Sequence, residues 1–227
     1  RARDNGIRAY FNVCRHRGTQ ICREASGQFS ETIQCPYHAW TYTTDGRLIG
    51  APHMQEVEDF DKRQFPLHAA AIAECAGFLF VNVSENPQPF VEWFAPMMHR
   101  LARFGLERLE VGHSVRYEVH ANWKLVFQNY SECLHCPMLH PALNRLTDYL
   151  GADNEEPRAA YIGGCMGFRG GAETMSVDGK RRRDYLPGLG EEQRRLVAYY
   201  ALYPNFLLSL HPDYMMVHTI WPKRPDR

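Results

Sequence analysis

Two short strings constrain this chain more than any other feature: Cys14-Arg15-His16 and Cys35-Pro36-Tyr37-His38. Each offers one thiolate and one imidazole, and 18 residues separate His16 from Cys35. A zinc finger usually gathers two cysteines on one knuckle and two histidines on a helix. Here each loop carries one of each. That pattern suits a 2Fe–2S cluster in which one iron takes both cysteines and the other takes both histidines. Neutral imidazoles in place of two thiolates make the cluster less negative and raise its potential. Loops that wrap a cluster need tight turns, and Gly18 and Pro36 stand beside the ligands. A single zinc ion on the same four donors is the competing reading.

Composition narrows the rest. The 227 residues make room for one large domain or two ordinary ones. Hydrophobic residues at 44% and charged residues at 23% are those of a soluble globular chain. Lys plus Arg and Asp plus Glu balance at 26 each, so no overall field favours nucleic acid or an anionic membrane. The longest apolar run, residues 77–83, is too short to span a bilayer. Cys14 and Cys35 aside, five of the seven cysteines remain, with no spacing that suggests disulfides, so a reducing cytoplasm is the expected home. No secretory signal opens the chain. Residues 1–13 read as a strand already under way and 220–225 as a strand leaving into a turn, which suggests a piece of a longer polypeptide.

Residues 1–87 alternate short apolar runs with Gly, Pro, Asn and Asp, the pattern of small antiparallel strands. Strands are expected over 29–33, over 40–43 before Asp45-Gly46, and over 78–83. Phe90, Phe94, Met97, Met98, Leu101 and Phe104 recur at helical spacing, with Pro96 restarting the helix. Residues 114–120 read as a strand. Asn122 then caps a helix that carries Trp123, Val126, Phe127 and Tyr130 on one face. The Gly-rich, charged stretch 151–192 reads as an extended loop or lid, and 199–210 and 214–221 as strands.

The second informative string is Glu132-Cys133-Leu134-His135-Cys136-Pro137-Met138-Leu139-His140. Histidines five apart on an ideal helix point about 140° from each other. Pro137 should end or bend the helix between them and let both rings converge on one ion. Two histidines and a carboxylate make the facial triad of mononuclear non-haem iron(II) oxygenases. A redox or zinc-binding Cys133-x-x-Cys136 pair is the alternative reading of the same segment. His53, His68, His99 and His113 read as surface or core groups. Lys180 to Arg183 read as a solvated face, or else a docking patch for an acidic electron donor.

CRHRG followed by CPYHAWTYTTDGRL resembles the Rieske iron–sulfur domain, and NYSECLHCPMLHP resembles the catalytic signature of Rieske non-haem iron oxygenase alpha subunits. The resemblance implies an α+β fold. An antiparallel β Rieske domain with a linker helix would occupy residues 1–110, and the N-terminal part of a helix-grip catalytic domain residues 111–227. It implies a Rieske cluster on Cys14, His16, Cys35 and His38, and mononuclear Fe(II) on His135 and His140. It also implies a head-to-tail homotrimer in which the cluster of one subunit feeds the iron of its neighbour. Glu132 would then bridge to His38 of the partner subunit, and Asn129 would sit near the iron. Electrons would come from NAD(P)H through a reductase or ferredoxin, to act on O2 and a small-molecule substrate. The family's third ligand is an aspartate. Asp148 and Asp213 are the local candidates, but the family separation falls past Arg227, so these residues alone are not expected to make a competent oxygenase.

Glu132 stands where many ring-hydroxylating members carry Asp, and ECLHCPMLHP looks more like the branch acting on betaines, choline and carnitine. Such a substrate wants aromatic faces around its cation. Tyr161, Phe168, Tyr199, Tyr203, Phe206 and Trp221 are available. The alternatives are an aromatic-ring-hydroxylating dioxygenase and a Rieske electron carrier without oxygenase activity. An electron carrier would leave the second string without a purpose.

Overall fold

A computed structural model describes residues 1–2 and 4–224. Pro225, the end of the expected exit turn, lies outside the described residues. The chain forms two compact units, Arg1–Gln88 and Pro89–Arg227.

The first unit is two small antiparallel sheets. One has the order β2 (Thr32–Gln34), β3 (Thr41–Thr43), β4 (Leu48–Gly50). The other has the order β1 (Ala9–Tyr10), β5 (Ala69–Cys75), β6 (Phe78–Asn82). The strand expected over 1–13 shrinks to Ala9–Tyr10, because Ala2 N–H turns to donate to the Gly6 carbonyl at 2.8 Å. Asp45-Gly46 makes the β3–β4 hairpin as expected. Gly46 has φ 87, a left-handed conformation that glycine adopts without a Cβ penalty. Trp40, Tyr42, Leu48, Ala51 and Leu67 form the core together with Cys14 and Cys35. The two cysteine–histidine loops are thus rooted in the packed interior.

The second unit opens with α1 (Phe90–Leu101), which buries Phe94, Met97 and Leu101. The expected restart at Pro96 does not occur. Pro96 lies inside one continuous helix at an exposed position, where the carbonyl it frees can face water. Residues 111–120 are exposed and form no strand, contrary to expectation. Val115, Tyr117 and Val119 do alternate, but no described strand offers them backbone partners, and a strand needs a ladder. The next helix, α2 (Trp123–Tyr130), follows its pattern: Asn122 Oδ1 accepts from Lys124 N–H at 2.9 Å, and Phe127 is buried.

Behind α2 stands a five-stranded antiparallel sheet. Its order is β11 (Met215–Thr219), β10 (Phe206–Leu210), β9 (Leu196–Leu202), β8 (Tyr161–Gly167), β7 (Asp153–Asn154). The loop expected over 151–192 is therefore corrected: it contains β7 and β8. Glycines masked the strand signal, and they are there for close approach. A Cβ on Gly163 would lie 2.2 Å from the Tyr199 carbonyl oxygen, and one on Gly164 would lie 2.2 Å from that of Asp153.

A half-buried ion pair joins α1 to this sheet. Arg100 Nε donates to Glu155 at 2.8 Å, and the hydroxyls of Tyr161 (3.0 Å) and Tyr200 (2.9 Å) donate to the same carboxylate. Burial alone would raise the Glu155 pKa, but these donors outweigh it and hold the group below its ordinary 4.5. A depressed folded pKa means the stabilisation is complete above 4.5 and drains away as pH falls through the folded value. Glu155→Gln should cost about 1.5–3 kcal/mol at neutral pH. Urea unfolding at neutral and acid pH should show the gap to the parent closing in acid. A gap that stays constant would refute the assignment.

Among the described residues no helix is long and apolar enough to cross a membrane.

Candidate metal centres

The two cysteine–histidine loops close in the same way. Cys14 N–H donates to Thr19 O at 2.8 Å, and Gly18 N–H donates back to Cys14 O at 3.0 Å. Cys35 N–H donates to Trp40 O at 2.8 Å, and Ala39 N–H to Cys35 O at 3.1 Å. The fourth residue after each cysteine is left-handed, Gly18 at φ 71 and Ala39 at φ 55. For alanine that conformation carries strain, held here by the surrounding hydrogen bonds.

This geometry pairs the donors by kind. Cys14 and Cys35 are buried free thiols close enough to interact, and burial raises the Cys14 pKa. The His16 and His38 ring centroids are 4.8 Å apart, and His16 stacks on Trp40 at 4.9 Å and 5°. His16 Nδ1 is buried with no hydrogen-bond partner among the described residues. Among the described residues no group of three or more His, Cys, Asp or Glu side chains is placed to hold one metal ion. A lone tetrahedral ion would need all four donors to converge. Two metals, each with its own like pair of donors, fit what is present.

Two aromatic supports were not singled out in the sequence. The Tyr42 hydroxyl lies 3.3 Å from Cys14 Sγ and accepts from Arg15 N–H at 3.1 Å, and burial pushes its pKa up. Hydrogen bonds to ligand sulfur are one of the levers on cluster potential. The period-2 placement of Trp40 and Tyr42 beside Cys35 was the available signal.

The second centre begins where α2 ends. Residues 131–135 form a turn, followed by α3 (Cys136–Leu139) and α4 (Pro141–Leu146), with His140 at their junction (φ −127, ψ 56). The break is therefore not at Pro137, as the sequence suggested. Pro137 sits in the first turn of α3, where a missing N–H costs nothing. The His135 and His140 ring centroids lie 5.2 Å apart at 74°. Glu132 Oε1 accepts a hydrogen bond from His135 Nδ1, and its Oε2 accepts from Leu134 N–H at 2.6 Å. The hydrogen bond from His135 holds the Glu132 carboxyl below its usual range. An ionised carboxylate on Nδ1 fixes the ring and leaves Nε2 as the nitrogen that could take a metal. Asn129 is exposed on α2.

One further expectation changes, that of unpaired cysteines. Cys133 and Cys136 are joined by a disulfide, which the reading of the five remaining cysteines as unpaired did not anticipate. Asp148 pairs with Arg169, and Asp213 is buried against Thr174 Oγ1. Neither joins His135 and His140 in a three-donor cluster among the described residues. The six aromatics do not gather into one cage. Tyr161 faces Arg100, Tyr203 stacks on Phe127 at 5.0 Å, and Trp221 is exposed.

Comparison with known proteins follows the same division. The model of the ring hydroxylating alpha subunit (catalytic domain) matches residues 106–227, and that of the Rieske 2Fe–2S domain matches residues 1–61. The chain is 40% identical over 154 residues to the glycine betaine monooxygenase oxygenase subunit of Chromohalobacter salexigens, covering 67% of this chain and 34% of that protein. It is 38% identical over 143 residues to the carnitine monooxygenase oxygenase subunit of Acinetobacter baumannii, covering 62% and 38%. The crystal structure of a quaternary ammonium Rieske monooxygenase in complex with L-carnitine superposes with a TM-score of 0.74 at 26% identity, covering 98% of this chain and 56% of that one. The chain spans less than two thirds of the length of each of these relatives.

Proposed function

The chain belongs to the ring-hydroxylating alpha-subunit family, with a Rieske domain ahead of its catalytic domain, and from that premise we propose that it is part of the oxygenase component of a quaternary-ammonium monooxygenase. The observation that carries this reading is the presence, in one chain, of two donor sets of different kinds. One pairs buried thiols and imidazoles, and the other pairs two imidazoles with a carboxylate behind one of them. An electron carrier has no use for the second set.

In this reading residues 1–110, with the helix Phe90–Leu101 as the connection, carry the cluster, and residues 111–227 begin the catalytic domain. Cys14 and Cys35 hold one iron of a 2Fe–2S cluster and His16 and His38 the other. His135 and His140 hold mononuclear Fe(II), with a third ligand still required. When bound, these centres supply one-electron transfer and dioxygen activation for attack on a C–H bond next to nitrogen. The protein's own part is positional. Tyr42 anchors Cys14, Trp40 holds the His16 ring, and Glu132 orients His135. The family likeness adds a homotrimer, with Glu132 reaching His38 of the partner subunit. It also adds a reductase fed by NAD(P)H, a cytoplasmic setting, and a place for Asn129 near the iron.

The substrate class rests on the two relatives above, which are named for glycine betaine and carnitine. The test is oxygen uptake and formaldehyde release by the whole polypeptide in which these residues occur, supplied with a reductase and NAD(P)H. Glycine betaine, proline betaine or carnitine should support coupled turnover, whereas naphthalene and benzoate should not. Coupled turnover with benzoate alone would replace this reading by the ring-hydroxylating dioxygenase one.

A further inference from the structure

Helix α2 lies on one face of the five-stranded sheet. Phe127 packs on Ala201 and Leu207, and the Tyr130 hydroxyl lies 2.8 Å from Ser209 Oγ. Tyr199 is the cross-strand partner of Ser209, and its ring meets that of Tyr130 edge-on at 6.2 Å. His211 follows just past the end of β10 at Leu210, and its ring lies 6.3 Å from that of Tyr199. Tyr130 is also the last residue of α2, two positions before Glu132. One helix, α2, thus packs on the row of Leu207 and Ser209 and leads into the His135–His140 loop.

His211 is the anomaly beside this row. It is 2% exposed, yet neither ring nitrogen has a hydrogen-bond partner among the described residues. Tyr214 stacks on it at 4.1 Å and 9°, and Tyr199 presents an edge at 6.3 Å. Its buried neighbour Asp213 is engaged by Thr174 Oγ1. Burial lowers the His211 pKa to about 3, so the ring is neutral and offers one N–H donor and one acceptor. An unsatisfied buried polar group costs about 1–3 kcal/mol, which a bound partner recovers.

We propose that His211, with Ser209 and Tyr199 beside it, is the specificity-determining contact for the carboxylate of a zwitterionic substrate. The inference rests on the oxygenase reading above and adds to it which end of the molecule is recognised, and where. A trimethylammonium group makes no conventional hydrogen bond and cannot satisfy an imidazole, whereas a carboxylate accepts from N–H and O–H donors. The described strand residues on this face include no lysine or arginine. Choline carries a hydroxyl where a betaine carries a carboxylate, and a hydrogen bond to an ionised acceptor is about twice as strong as a neutral one, so a betaine is favoured over choline.

The test compares glycine betaine with choline on the whole, metal-loaded polypeptide, using calorimetric Kd alongside KM and kcat. His211→Phe should weaken glycine betaine by about ten-fold or more in Kd and KM, leave kcat within about two-fold, and erode the preference over choline. His211→Gln, which keeps a donor, should retain most of the affinity. Should the Phe variant fail to fold, Tyr199→Phe should still weaken glycine betaine more than choline, and equal effects on both would overturn the proposal. A wild-type enzyme active on glycine betaine whose Kd is unmoved by His211→Phe overturns the His211 assignment alone. A wild type that turns over no quaternary ammonium compound overturns the assignment together with the reading beneath it.

Discussion

Alanine at His135 or at His140 is expected to remove about one iron per polypeptide and to abolish turnover, while the visible absorbance of the cluster remains. The two rings approach to 5.2 Å between centroids, and Glu132 already occupies Nδ1 of His135. On the proposed assignment each ring contributes a donor that Asp148 and Asp213 do not replace, since they are committed to Arg169 and Thr174. Losing a direct ligand should cost more than the about 10–100-fold that loss of a partner behind a ligand costs. The proposed cluster donors belong to the other compact unit and have their own core, so they should be untouched. Iron analysis with absorption spectra of the double variant decides the matter. If its iron content equals the wild type's, the assignment is wrong.

Glu132→Gln should give the opposite pattern, with both metals kept and the reaction slowed. Both carboxylate oxygens accept hydrogen bonds, one from His135 Nδ1 and one from Leu134 N–H. An amide can satisfy only one of these donors and turns its own N–H2 toward the other. The His135 ring then loses its anionic support and its fixed tautomer, though not its place in the chain. Single-turnover product formation should fall by about 10–100-fold. Full-speed turnover in the Gln variant would show that Glu132 only caps the turn.

The two cysteine–histidine loops were legible as tight turns in the sequence because their geometry is local. A cysteine, a histidine and a turn residue within five positions leave little choice of fold, and the structure brings the four donors together two by two. The hairpin at Asp45-Gly46 and the Asn122-capped helix were legible for the same reason. What escaped notice depends on partners distant in sequence. Gly163 and Gly164 read as loop residues because the contacts that demand them, the Tyr199 and Asp153 carbonyls, lie elsewhere in the chain. Val115, Tyr117 and Val119 read as a strand because alternation says nothing about whether a neighbour exists to pair with. Pro137 was assigned as a helix breaker where it serves as a helix starter, since the two roles differ only in where the preceding helix stops. His211 gave no signal at all, because an orphaned imidazole is visible only once its surroundings are built.

The Tyr130–Ser209 contact spans 79 positions of sequence, whereas Cys14 and Cys35 are 21 apart. Closing a longer loop costs more entropy, and during synthesis it must also wait for the distal segment to emerge. The cluster loops can close while most of the chain is still unmade. The helix leading to His135 and His140 is held on its sheet only after β10 has been translated and paired. On the proposed assignment the two metals would thus be acquired in a set order, with the cluster site ready early in biogenesis and the mononuclear site completed late. A ribosome-bound intermediate would be a Rieske protein before it is anything else.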